Sequence, residues 1–76
     1  MNRERRNRIE ELKNDLERLQ GNIEDIMYEE EEYRYYMHEN LQGSERYETV
    51  EEAIDALSTA IDSISEACNS LEQAME

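Results

Sequence analysis

The chain has 76 residues, of which 21 are Asp or Glu and eight are Lys or Arg, giving a formal net charge of −13. Only 37% of the residues are hydrophobic, and there is no Pro, Phe or Trp. A chain this short holds one domain at most, has little material to wall in an active-site pocket, and contains no apolar run near the ~20 residues that span a bilayer. Catalysis and membrane insertion are not expected. A surface this acidic repels nucleic acid and anionic lipid and attracts cationic protein.

Low hydrophobicity with high net charge is also the mark of disorder, but the spacing of the apolar residues argues against it. Ile9, Leu12, Leu16, Leu19, Ile23 and Ile26 recur at steps of three and four, and Tyr33 and Met37 resume the phase after Glu30. This pattern predicts an amphipathic helix over about residues 3–40. Arg3, Arg5, Arg6 and Arg8 crowd its start, where the helix dipole opposes them, so the C-terminal end of a neighbouring helix is their expected place. Glu30 falls on the apolar seam and is expected to pair with Arg34 or to fix the register.

Two glycines offer a break, in Leu19-Gln20-Gly21 and in Leu41-Gln42-Gly43. The apolar phase runs undisturbed through Gly21 and shifts at Gly43, which places the turn at 41–44. Ser44 is a candidate cap for the next helix, and Thr49 with Glu52 offers a capping box slightly later. From 45 to 76 the seam reads Val50, Ile54, Leu57, Ile61, Ile64, Cys68, Leu71 and Met75, an alternation of four and three that only a helix produces. Ala53, Ala60, Ala67 and Ala74 fall beside it at every seventh residue and widen the stripe. The expected fold is all-α: a single domain over 1–76, folded as an antiparallel two-helix hairpin of coiled-coil type. A homodimer forming an antiparallel four-helix bundle is expected to follow, with Val50, Ile54, Leu57, Ile61, Ile64 and Leu71 as the self-association seam. The competing architecture is one long helix with a register slip at Gly43.

Charge is unevenly spread. Residues 1–20 carry six basic and five acidic side chains, whereas 21–76 carry two basic and sixteen acidic. On the outer face of the first helix, Glu24, Tyr28, Glu31, Glu32 and Tyr35 form an acidic, aromatic strip. Exposed tyrosine in a charged field is common on protein recognition surfaces, so these five are the candidate partner-binding residues. The plainer alternative is a solvated face that keeps the chain dispersed.

Chemistry finds no such foothold. His38 is the single histidine, Tyr35 stands three before it, and a bundle di-iron site needs Glu-x-x-His on two helices. Cys68 occupies an inward seam position, where a thiol behaves as a small hydrophobe, and one cysteine builds no disulfide framework. No phosphate loop or calcium loop spacing occurs. No catalytic residue, metal site or cofactor is expected.

The run from Glu29 to Tyr36, the stretches Asn40-Leu41-Gln42 and Ser44-Glu45-Arg46-Tyr47, and the repeated Glu52-Ala53-Ile54-Asp55 pattern resemble a group of small acidic helical proteins. These occur as uncharacterised open reading frames of bacteria and their phages. The likeness covers most of the chain, including its basic start. It implies a phage or mobile-element setting in the cytoplasm of a bacterial host, and it brings no site residues with it. The leading functional expectation is a non-catalytic inhibitor or adaptor. Its acidic strip would dock on a cationic nucleic-acid-binding protein, such as a defence nuclease, in place of backbone phosphates, without itself binding nucleic acid. A structural homo-oligomeric assembly module is the alternative, and a bundle that sequesters a small ligand between subunits is the third reading.

Overall fold

A computed structural model of the chain describes residues 1–37 and 44–76. Two helices account for nearly all of them: α1 spans Arg3–Tyr35 and α2 spans Glu45–Met75. They pack against each other as a hairpin whose principal extents are 59 × 15 × 12 Å. The expected turn at 41–44 falls, apart from Ser44, outside the described residues, as do His38 and Gly43. With the two helices packed side by side, the single long helix with a register slip is set aside.

Local chemistry explains where each helix starts. The Asn2 side-chain oxygen accepts a hydrogen bond from the Arg5 N–H at 2.9 Å, satisfying one of the free donors of the first turn. Ser44 does the same for α2, its hydroxyl accepting from the Tyr47 N–H at 3.2 Å. Thr49 takes no capping role: it lies one turn inside α2 and its hydroxyl donates to the Glu45 carbonyl, four residues back.

The first helix stops five residues earlier than its apolar phase predicts. Tyr36 closes it, its N–H bonding back to the Glu32 carbonyl, and Met37, whose N–H bonds to the Arg34 carbonyl, turns inward to join the core. Four consecutive carboxylates, Glu29 to Glu32, sit in the last two turns, where the helix dipole is already negative. That arrangement gives the backbone little reason to continue.

The core is thin. Met37, Val50, Ile54 and Cys68 are buried, and none is completely shut off from solvent. The first three cluster near the turn end of the hairpin, with Met27 and Tyr47 packed against them. Toward the open end, Leu16 and Leu71 line the groove between the helices.

The second helix presents the seam read from its sequence, but the first does not. Its contact face runs through Ile9, Lys13, Leu16, Gln20, Ile23, Met27, Glu30, Arg34 and Met37, all partly or fully buried. Leu12, Leu19, Ile26 and Tyr33, expected on the seam, are exposed instead, Leu12 by 56% and Ile26 by 50%. Long polar side chains decide the rotation. Lys13 Nζ lies 2.7 Å from a Glu72 carboxylate oxygen, Gln20 Nε2 donates to the Ile61 carbonyl at 2.9 Å and to the Ser65 hydroxyl at 2.7 Å, and Arg34 reaches to 3.9 Å from Glu51. Lys13, Gln20, Met27 and Arg34 are each seven residues apart, so a single helix orientation satisfies all of them. Arg34 therefore pairs across the hairpin with Glu51, in place of the pairing with Glu30 read from the sequence. The orientation leaves an apolar row outside: each half-exposed Leu or Ile forgoes about 1 kcal/mol of the ~1.5–3 that full burial would give.

Candidate functional site

The acidic, tyrosine-bearing region occupies the turn end of the hairpin, where the last two turns of α1 approach the start of α2. Helical geometry points residues 28, 32 and 35 away from α2, since they lie opposite the Met27, Glu30 and Arg34 face that meets it. Tyr28, Glu32 and Tyr35 are accordingly exposed, Tyr35 by 80%. Glu24 and Glu31 differ. Both are half-buried, because they stand on the flank of α1 nearest α2. The strip read from the sequence is thus narrower along that edge.

Two residues missed in the sequence extend it on the other side. Tyr36 is 72% exposed and meets Tyr35 edge to face, with ring centroids 5.1 Å apart and planes at 89°. Such a pair is favourable in its own right and holds both rings in defined positions. A wheel drawn through α1 could not have placed Tyr36, since it caps the helix and leaves its periodic path. Glu29 is likewise exposed and adds its carboxylate to that of Glu32.

This end is acidic because cations are scarce there. Residues 21–76 contain only two basic side chains, Arg34 and Arg46. The Arg34 guanidinium turns toward Glu51. The Arg46 guanidinium donates to the Tyr33 hydroxyl and lies over the Tyr33 ring, 5.6 Å from its centroid. Among the described residues, neither arginine forms an ion pair with Glu29 or Glu32, so those carboxylates are left for solvent or a partner.

The residues expected to form a self-association seam lie, within one chain, along the contact between its two helices. Val50 and Ile54 are buried within the hairpin against Met27, Met37 and Tyr47. Leu57, Ile61, Ile64 and Leu71 are half-buried along the same seam. They join the two arms of one chain. The free apolar surface lies on α1, at Leu12, Leu19 and Ile26, and continues into an open groove of about 590 Å³ lined by Leu16, Ala67 and Leu71.

The one resolved change in acidity belongs to the other end of the molecule. The Glu72 carboxylate, accepting a hydrogen bond from Lys13 Nζ, raises the lysine above its ordinary pKa of 10.5; partial burial works against this, and the charges of Glu72, Glu10 and Glu17 add to the rise. Cys68 is a free thiol, buried on the seam. Among the described residues, no group of three or more His, Cys, Asp or Glu is placed to hold a metal ion, and no helix is long and apolar enough to cross a membrane. Comparison with protein-family models, with characterised proteins and with solved structures finds no match to this chain.

Proposed function

We propose that the chain is a non-catalytic protein-interaction module whose turn end docks on a cationic protein surface. The observation that supports this reading is the exposed set Tyr28, Glu29, Glu32, Tyr35 and Tyr36, with the two nearby arginines both turned to other partners. Rigid aromatic rings give a large contact area at low entropic cost, and carboxylates at their edges steer a positively charged partner during approach. A nucleic-acid-binding protein is the partner class that fits best, because its surface is built to receive rows of negative charge. In the bacterial and phage setting implied by the sequence resemblance, a defence nuclease is the expected member of that class, met in the cytoplasm of the host.

Competition is the direct test. A purified cationic nuclease or other DNA-binding protein, titrated with this chain, is expected to lose its bound DNA, with affinity falling steeply as salt rises. The quadruple change of Tyr28, Glu31, Glu32 and Tyr35 to Ala should abolish the competition. Binding that ignores salt, or a ternary complex with DNA, would refute the reading.

An assembly module is the second reading, favoured by the exposed row on α1. It requires no acidic docking site at all.

A further inference from the structure

We infer that a second copy of this chain covers the apolar face of α1 and α2, laid on it with its ends reversed. This does not rest on the docking role of the turn end, because Tyr28 and Tyr35 lie on the opposite side of α1 from Leu12, Leu19 and Ile26.

Area gives the first reason. The chain exposes 5912 Å². A folded monomer of its 9.1 kDa exposes about 4,900 Å² on the usual size scaling. The excess, about 1,000 Å², is close to the ~800 Å² per partner that a standard stable interface buries. The excess has a location. Leu12, Leu19 and Ile26 are the exposed aliphatic residues within α1, and Leu12 and Leu19 share their groove with Ala67 of α2.

Symmetry gives the second reason. A two-fold contact requires a patch that complements itself. The α1 row, Leu12, Leu19, Ile26 and Tyr33, is centred between residues 22 and 23; the α2 row, Ala53, Ala60, Ala67 and Ala74, is centred between 63 and 64. The cross-hairpin pairs Lys13 with Glu72 and Gln20 with Ser65 set those two centres at the same level. One axis through the middle of the hairpin therefore serves both rows. It sets Leu19 level with Ile26 of the second copy on one side and Ala60 level with its Ala67 on the other. Large side chains interdigitate along α1, and small ones let the two α2 helices approach closely.

Charge fixes the direction. Residues 1–8 carry four Arg and one Glu, whereas 24–32 carry six acidic residues and no basic one. Arg5 and Arg8 border the open end of the same face, lining with Ile9 and Leu12 a cavity of about 180 Å³. Reversed ends set the basic half of one α1 against the acidic half of the other, with Lys13 level with Glu32 and Arg34 level with Glu11 of the second copy. The other face-to-face dimer, with like ends together, would lay α1 on the second copy's α2 and set the six acids of 24–32 level with its residues 54–62, which carry Asp55 and Asp62 and no basic residue. Along α1 the reversed arrangement sets one like-charge pair level, Asp15 with Glu30 of the second copy, and Arg18 stands 3.6 Å from Asp15 to offset it.

Three measurements on the full chain test this. Sedimentation equilibrium at about 100 μM should give twice the chain mass, far above the dissociation constant of an interface this size. A monomer of undiminished helicity at that concentration overturns the proposal. Leu19→Glu should raise the dissociation constant more than ~100-fold while circular dichroism stays helical. Ala67→Glu on the other arm makes the same test should Leu19→Glu unfold, and a dimer that survives Ala67→Glu overturns the proposal. For orientation, exposed Asn22 lies next to the proposed axis. In a Cys68→Ala background, Asn22→Cys should form a disulfide between copies on oxidation. A dimer that never cross-links there has its ends aligned, against the proposal. Tyr28→Ala with Tyr35→Ala should still dimerise, so loss of partner binding in that variant is read separately from loss of the dimer.

Discussion

Gln20 reaches across the hairpin to Ile61, its side-chain amide donating to a backbone carbonyl that is already part of α2's own ladder. The same amide also meets the Ser65 hydroxyl. A neutral residue midway along the seam thereby ties one helix to one level of the other. Apolar contacts alone do not do this, because sliding by a heptad leaves them nearly unchanged.

Removing that tie should weaken the fold measurably. Gln20→Ala is expected to cost about 1–2 kcal/mol, the net worth of two hydrogen bonds. A lower urea midpoint at unchanged slope and fixed protein concentration would show it. Gln20→Leu should recover most of the loss through added burial. Equal midpoints for Gln20→Ala and the original chain would mean that the amide contributes nothing.

Gly21 sits within α1, and a Cβ built on it meets nothing within 4 Å. Its φ needs no left-handed freedom, so Gly21→Ala should stabilise the helix by ~1 kcal/mol through propensity alone. For a chain of this size that corresponds to a rise of about 4–8 °C in Tm. A decrease would reveal a contact at that position beyond those within one hairpin.

The Lys13–Glu72 pair makes stability depend on pH in a defined window. Because folding raises the lysine's pKa, the folded state holds the proton more tightly than the unfolded one. Its contribution is fully present below the unfolded value near 10.5 and is lost as pH rises through the higher folded value. Melting curves of the original chain and of Lys13→Gln should therefore converge as pH climbs above that point. A difference that stays constant, or widens, would contradict the assignment.

The two caps should differ in worth. Ser44→Ala removes a hydroxyl beside the buried cluster at Val50 and is expected to cost ~1 kcal/mol. Asn2→Ala acts on a first turn whose residues are all exposed, so fraying absorbs much of the change and Tm should move less. Hydrogen exchange of the Tyr47 and Arg5 amides in the respective variants would compare them directly.

Much of this fold could be read in advance, and the reasons for the exceptions are physical. The four-three alternation from Val50 to Met75 locates the face of α2 that meets α1, since no second apolar row of comparable size competes with it. In α1 two adjacent rows compete. Leu12, Leu19 and Ile26 are the more apolar, yet Lys13, Gln20 and Arg34 gain specific partners on α2 and set the rotation. Periodicity reports a stripe but not which neighbour each edge of it serves. The acidic strip divides for the same reason: turning α1 by one position brings Glu24 and Glu31 toward α2 and leaves Tyr28, Glu32 and Tyr35 outside. Tyr36 needed the end of the helix to be known, and that end depends on electrostatics in its last turns more than on apolar spacing.

Cys68, the chain's one thiol, is 93% shielded on the seam toward the open end. Alkylation requires the two arms to part there, so its rate relative to that of a free thiol measures how often the open end unzips. Placed away from the buried cluster at the turn, this side chain is a native reporter of breathing between the arms, readable by the mass that the alkyl group adds.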